Sequence, residues 1–305
     1  MEKITVTDLE KALRVDKYLN MVQDELSRSF IQQLIDDEKI VINDKPCKSN
    51  TKVKNGDIIT INDFALVEID AKPEDIPLDI IYEDQDIIVI NKPKGMVVHP
   101  SIGNYEHTLV NALLFHCKDL SGINGKIRPG IVHRIDKDTT GCIVACKNDK
   151  AHEAIAQQLA NKTCHREYMA LVEGVIEHNS GTIDAPIGRD GKDRKKMTVT
   201  EINSKEAITH FDVIERFKKY TLVKCKLETG RTHQIRVHMQ FIDHPIVGDE
   251  VYGRRKTLKN TQGQVLHAYK LELIHPTTLE KMTFEAPLPT YFTELLTSIR
   301  SEDNA

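Results

Sequence analysis

The chain has 305 residues, 40% of them hydrophobic, and a formal net charge of −4. That length suits one large domain plus a small one, or two medium ones. No apolar run approaches the roughly 20 residues needed to cross a bilayer. The charged opening MEKITVTDLEKALRVD carries no apolar core of a signal peptide, so a cytoplasmic protein is expected. Six cysteines, at 47, 117, 142, 146, 164 and 225, form no CxxC pair and read as buried, reduced thiols. The net charge hides an asymmetry. Residues 186–256 carry 16 Lys and Arg against 10 Asp and Glu, inside an otherwise acidic chain. Such a stretch suits a phosphate-facing surface, with a solvated charged loop as the plain alternative.

A first unit spans residues 1–70. Leu13, Tyr18, Leu19 and Val22 lie near helical spacing, and Ser27 is placed to cap a second helix carrying Phe30, Ile31, Leu34 and Ile35. Two short strands follow at Ile40–Ile42 and Ile58–Ile61, with turns at Asn43–Pro46 and Asn55–Asp57. Residues 71–78, with two prolines and no periodicity, read as a linker. From residue 79 to 305 strand-like runs dominate: Ile80–Tyr82, Ile87–Ile90, Ile143–Ala145, Tyr168–Val172, Thr221–Lys226 and Leu271–Ile274. Helices are predicted at Thr108–Cys117, Lys150–Asn161 and Thr232–Ile242. Strands and helices do not alternate strictly. The expected class is therefore α+β, a mixed, largely antiparallel sheet flanked by helices, preceded by a small α/β unit.

Chemistry concentrates in three segments. In RPGIVHRIDKDTTGCIVACKN (128–148) an apolar run leads into His133-Arg134-Ile135-Asp136, then a polar turn, then a strand. Polar side chains held at the end of a rigid sheet make a good site. Arg134 and Lys137 would keep Asp136 ionised, ready as nucleophile or base. The alternative is a charged turn satisfying its own backbone. Asp136–Thr140 also spells D-x-D-x-T, which resembles the aspartyl-phosphate loop of haloacid-dehalogenase-type Mg²⁺ phosphatases. That loop normally follows its strand directly, and the later acidic pair is missing, since Gly248-Asp249 lacks a second Asp.

In LETGRTHQIRVHMQFIDHPIVGD (227–249) Arg231 and Arg236 are five residues apart, as are His233 and His238. On a helix each pair diverges by roughly 140°, so neither pair converges on one small site unless the segment is partly unwound. The histidines make a poor metal chelate and read as buried or capping residues; no metal is expected. Arg236 suits pairing with a carboxylate or a phosphate. The strand HREYMALVEG (165–174) presents Tyr168 and Ala170 on one face.

Together these segments resemble the RluA-type pseudouridine synthases. The signature H-R-[LI]-D-x-x-[TS]-[ST]-G stands at His133–Gly141, and G-R-x-H-Q-[LI]-R-x-H at Gly230–His238. The strand tyrosine stands at Tyr168, and the opening pattern ending N-K-P-x-G at Tyr82–Gly95, with V-H-P at 98–100. D-K-D-T-T-G is similar to the RluD-like branch acting on large-subunit rRNA. Residues 1–70 resemble an S4 RNA-binding domain, through Arg14–Leu19, Ser27-Arg28-Ser29, Val41–Lys45 and Asn55–Asp57. Where that domain often has a glycine before its V-x-[VI]-N strand, Glu38-Lys39 stand instead.

The resemblance implies isomerisation of uridine to pseudouridine within RNA, with no cofactor. Asp136 is then the essential carboxylate, and Arg236 pairs with it. Tyr168 stacks on the base, and Arg134 helps extrude the uridine. Arg14, Lys17, Arg28 and Lys45 would meet RNA in the S4-like unit. Arg189, Lys192, Arg194, Lys195, Lys196 and Arg254–Lys256 would do so in the basic stretch. The expected partner is large-subunit rRNA or a pre-ribosomal particle, with tRNA or a non-catalytic RNA-binding scaffold as alternatives, and the protein is expected to be a monomer.

Overall fold

A computed structural model describes residues 2–7, 9, 11–22, 28–62, 71–100, 104–122, 129–191, 193, 196–254 and 261–304, with the side chains of 2, 28–30 and 33 outside the description. Two compact units divide the chain, Met1–Glu68 and Ile69–Ala305.

The smaller unit runs β1 (Glu2–Thr5), β2 (Leu13–Arg14), α1 (Val15–Val22), α2 (Arg28–Asp36), β3 (Ile40–Ile42), β4 (Lys45–Pro46), β5 (Lys52–Val53) and β6 (Ile58–Ile61). Val15, Tyr18 and Leu19 of α1 pack with Ile31, Leu34 and Ile35 of α2 against Ile40, Ile42, Ile59 and Ile61 of the sheet. Leu13 belongs to β2 and not to the helix. The expected cap Ser27 lies outside the described residues. Helix α2 ends with Glu38 in the left-handed region at φ 55. There the Glu38 N–H bonds the Ile35 carbonyl, and the Lys39 N–H bonds the Leu34 carbonyl. This is a Schellman closure, which favours glycine at that position; here a glutamate carries the strain of about 1 kcal/mol.

The larger unit opens with β7 (Ile80–Glu83), β8 (Ile87–Lys92), α3 (Leu109–His116), β9 (Thr140–Cys146), α4 (Asp149–Ala160) and β10 (His165–Glu173). It continues with β11 (Ser180–Asp184), β12 (Ile187–Arg189), β13 (Met197–Val199), β14 (Ile208–Arg216) and β15 (Tyr220–Leu227). The chain closes with α5 (Gln234–Phe241), β16 (Leu266–Ile274), β17 (Lys281–Glu285) and α6 (Thr290–Asn304). One nine-stranded sheet has the order β11-β14-β15-β10-β16-β9-β8-β7, with β17 also paired to β16. Only the β16–β9 pair is parallel among its recorded pairings. The sheet is thus mixed and largely antiparallel, as expected, and the class is α+β.

The period of two along the central strands sorts their side chains onto two faces. Ile88, Ile90, Ile143 and Ala145 join Ala170, Val172 and Val223 in the core under α3 and α5. Their neighbours Ile87, Val89, Cys142 and Val144 pack instead on Ala151 and Ile155 of α4, and Leu171 and Leu222 pack on Phe292, Leu296 and Ile299 of α6. Each such buried side chain contributes about 1.5–3 kcal/mol, which fixes the frame that carries the site.

Thr108 caps α3 through a capping box with Asn111, and the Asn148 side chain caps α4 by accepting from the Ala151 N–H at 2.9 Å. Residues 71–78 belong to no helix or strand and are tied to α3. The Asn111 side chain donates to the Lys72 carbonyl at 2.8 Å, and the His107 N–H donates to Glu74 at 3.0 Å. Gly141 ends the His133–Gly141 segment at φ +105, where a Cβ would lie 2.2 Å from the Ala268 carbonyl oxygen. Only glycine allows β16 to approach β9 so closely. All six cysteines are free, five of them buried. Among the described residues no helix is long and apolar enough to cross a membrane.

Candidate active site

Asp136 sits on the loop that precedes β9. Buried Ile135 anchors the loop on one side, and the Thr139 N–H closes a turn onto the Asp136 carbonyl at 3.1 Å. Lys92 holds it from below. Its ammonium is fully buried and donates to the carbonyls of Pro93, Met96 and Lys137 at 2.8–2.9 Å. Burial pushes the Lys92 pKa down to about 7, while Asp138 and Asp136 pull it back up; three carbonyl acceptors match the three protons of the charged form. The N-K-P-x-G segment thereby fixes the loop that presents Asp136.

Across the cleft, α5 supplies Arg236. One guanidinium nitrogen donates to the Asp136 carboxylate at 2.9 Å. The others form a fork on Asp249, at 2.7 and 2.9 Å. The Arg236 side chain is 6% exposed, Asp249 0% and Asp136 26%. Burial works against the Arg236 charge, but the Asp249 hydrogen bonds and the charges of Asp136 and Asp249 outweigh it and hold the group above its usual range. Asp249 is fixed in turn by the N–H groups of Val251 and Tyr252 at 2.9 and 3.0 Å. One guanidinium between two carboxylates leaves Asp136 as the partner that faces the cleft, oriented by a charge-assisted hydrogen bond.

His233 and Tyr252 close the same wall. The Tyr252 ring lies 5.1 Å from the Arg236 guanidinium carbon. Its hydroxyl accepts from the Met197 N–H and is hydrogen-bonded to His233 Nδ1, both at 2.9 Å. The other nitrogen of His233 lies 4.0 Å from Asp136. Burial lowers the His233 pKa, partly offset by Asp136.

Tyr168 faces the cleft from β10. It is 5% exposed, and burial raises its pKa. Asp136, Tyr168, Arg134, Arg231 and Arg236 line one cleft. Arg134 is exposed at its mouth and donates to the Thr232 hydroxyl at 2.8 Å.

Both arginines of the 227–249 segment reach this cleft because the segment is not helical throughout. His233 sits at φ 57 and α5 begins only at Gln234, so Arg231 precedes the helix. The two histidines do diverge. His238 is buried against the Thr209 hydroxyl and the Ala185 carbonyl, away from the His233–Tyr252 pair. Two other groups bring metal-ligand atoms within 4.8 Å of one another, Glu83-His116-Cys117 and Asp84-Asp86-His275; neither includes a residue of the cleft.

Asp249 and Tyr252 were missed from sequence. The available signal was weak: an acid directly ending the apolar run Pro245–Gly248, much as Asp136 follows its own apolar run. In the S4-like unit, Arg14 forks onto buried Asp16 at 3.0 and 2.9 Å, so that cation is partly structural. Lys17 and Lys45 are exposed, and the Arg28 side chain lies outside the described residues. Within the basic stretch Arg189 is exposed and Lys196 half-buried. Arg254 is bonded to Asp243 at 2.8 Å, and Lys192, Arg194, Lys195, Arg255 and Lys256 lie outside the described residues.

A nine-stranded mixed sheet presenting an arginine-paired aspartate and a buried tyrosine in one cleft fits the enzymes that isomerise uridine in RNA, and the comparisons agree. The RNA pseudouridylate synthase family model matches residues 86–241, and the S4 domain model matches residues 13–59. The chain belongs to the RNA pseudouridine synthases, with an S4 domain at its N-terminal end. It is 53% identical to an "Uncharacterized RNA pseudouridine synthase YlyB" of Bacillus subtilis (strain 168), over 97% of each chain. It is 42% identical to a "Ribosomal large subunit pseudouridine synthase D" of Zymomonas mobilis, over 94% of each chain. Among solved structures it is similar to "Human RNA Pseudouridylate Synthase Domain Containing 4", with TM-score 0.56 and 26% identity, covering 72% of this chain and 92% of that one.

Proposed function

We propose that this synthase modifies uridines of large-subunit ribosomal RNA, with Asp136 as the catalytic carboxylate. The observation that carries the catalytic reading is the Arg236 bridge, which binds Asp136 at 2.9 Å while Asp249 takes the rest of the guanidinium. The substrate reading rests on similarity to relatives named for the ribosomal large subunit, 40–42% identical over at least 94% of this chain.

In this reading a base stacked in RNA cannot present its glycosidic bond to a carboxylate set inside a cleft, so the uridine is extruded at a cost of a few kcal/mol. Arg134, exposed at the mouth, takes part in the extrusion, and Tyr168 stacks on the base within. Asp136 acts on the ribose or the base while the glycosidic bond breaks, the uracil turns and carbon 5 joins the ribose. Arg236 keeps the carboxylate aimed. The bases of the reactant and product carry the same atoms, so the isomerisation consumes no redox equivalent. The S4 unit, residues 1–70, adds RNA contacts through Arg14, Lys17, Arg28 and Lys45. Residues 71–78 join it to the catalytic domain at 79–305, and the protein works as a cytoplasmic monomer.

The test is tritium release from large-subunit rRNA labelled at uridine carbon 5, with Asp136→Asn beside the wild type. Release by the wild type and a fall of at least about a thousand-fold in the variant are expected. Release by both proteins alike would remove Asp136 from the chemistry, and release only from tRNA would replace the substrate.

A further inference from the structure

Arg166 lies two residues before Tyr168 on β10 and has no structural partner among the described residues. It is 9% exposed, and its Nε–H is buried without an acceptor. Among the described residues its guanidinium takes part in no recorded hydrogen bond or ion pair. A buried guanidinium without a counter-charge is costly. Such a group persists where a ligand supplies the missing charge.

The surroundings favour an anion. Arg166 lines the Asp136 cleft and also an adjoining open cavity of about 430 Å³, with His133, Arg134 and Gly230. Among the described residues no carboxylate lines that cavity. His133 Nε2 accepts from the Val144 N–H at 3.1 Å, which places the proton of the neutral ring on Nδ1. That nitrogen is buried and also lacks a partner. Two residues that each carry an orphaned donor therefore line one cavity, with a second guanidinium, Arg134, beside them. Burial, and then the Arg166 charge, push the His133 pKa down to about 3, so the ring stays a neutral donor. Leu159 and Ala160 bring the last turn of α4 to the cavity, and its negative end opposes an anion by about half a charge at most, less than two guanidinium groups supply. Gly230 makes room for the cation, since a Cβ there would lie 2.7 Å from the Arg166 Nη1.

We propose that this cavity is a phosphate subsite, where Arg166 binds one backbone phosphate of the RNA beside the extruded uridine, with Arg134 at the rim and His133 Nδ1–H on the wall. The inference rests on the RNA-modifying reading above. It gives that reading a strand position: the phosphate anchors the chain in one cavity while the base enters the neighbouring cleft past Arg134.

The test compares wild type, Arg166→Gln and Arg166→Lys as full-length proteins. The first readout is kcat/KM for tritium release from large-subunit rRNA across a salt series. The second, independent of activity, is binding of a ten-residue oligouridylate and thermal stability with inorganic phosphate at constant ionic strength. Arg166→Gln is expected to lower kcat/KM about ten-fold or more and to flatten the logarithmic salt slope of oligouridylate binding by about 0.7, one phosphate on a single strand. Arg166→Lys is expected to keep the slope. Unchanged slope and affinity in Arg166→Gln would overturn the proposal. Arg166-dependent stabilisation by inorganic phosphate with an unchanged RNA slope would assign a free-anion site and overturn the backbone assignment. A wild type that binds oligouridylate with the Arg166-dependent slope but releases no tritium would break the reaction reading and leave the subsite standing.

Discussion

The two walls of the cleft treat the same side chain in opposite ways. On the helix wall, Arg236 is buried with its charge shared between Asp136 and Asp249. On the sheet wall, Arg166 is nearly as buried, yet among the described residues no carboxylate is bonded to it. The difference separates two uses of a guanidinium. Arg236 is complete without substrate and holds a carboxylate in place, so its removal damages the free protein. Arg166 is incomplete without substrate, so its removal should damage binding while the free protein loses little.

The largest effect expected on the free protein comes from the helix wall. Asp249→Ala leaves Arg236 with half its partners and a buried unmet charge, and should cost about 3 kcal/mol. For a unit of this size that lowers the melting temperature by roughly 6–12 °C, readable by calorimetry. A melting point within a degree of the wild type would show that Asp136 alone can hold Arg236.

A smaller effect belongs to the sheet wall and to pH. The His133 pKa is depressed to about 3 by burial and by Arg166. A depressed histidine binds its proton more weakly in the folded state than in the unfolded chain. Its contribution is therefore whole above the unfolded pKa near 6.5 and is lost as the pH falls toward 3. Between pH 7 and pH 5 the loss is about 2 kcal/mol. Denaturant midpoints should fall over that interval in the wild type and fall less in His133→Gln. Equal slopes in the two proteins would place the sensitivity elsewhere.

The smallest effect sharpens the contrast most. Arg166→Met removes a charge that has no partner, so stability should hold steady or rise by about 1 kcal/mol, measured by the same denaturant titration. A loss comparable to that of Asp249→Ala would mean that Arg166 is a structural residue after all, and the two walls would be alike.

Much of this site could be read in the chain. The segments His133–Gly141 and Gly230–His238 carry Asp136, Arg134 and Arg236, and the apolar runs of β8 and β9 with the alternation of β10 announced a sheet. Thr108 marked a helix start correctly, because a cap is a local hydrogen bond between neighbours in sequence. Helix α6 was overlooked although Phe292, Leu296 and Ile299 follow helical spacing. The alternation in β14 was likewise available and went unread. The unwinding at His233 was not legible. Local spacing described a continuous helix, and only packing against Tyr252 accounts for the left-handed residue that starts α5 two positions later than expected.

By itself the sequence determined the candidate catalytic segment, the alternation of faces in β10 and the presence of two units, because each depends on residues close together in the chain. The tertiary structure decided what those segments meet. Asp249 reaches Arg236 across 13 residues and Arg236 reaches Asp136 across 100, while Lys92 finds the Lys137 carbonyl 45 residues away. The solitude of Arg166 is also a tertiary fact. Whether a charge is paired depends on which strands and helices close around it, and no local pattern records an absent partner.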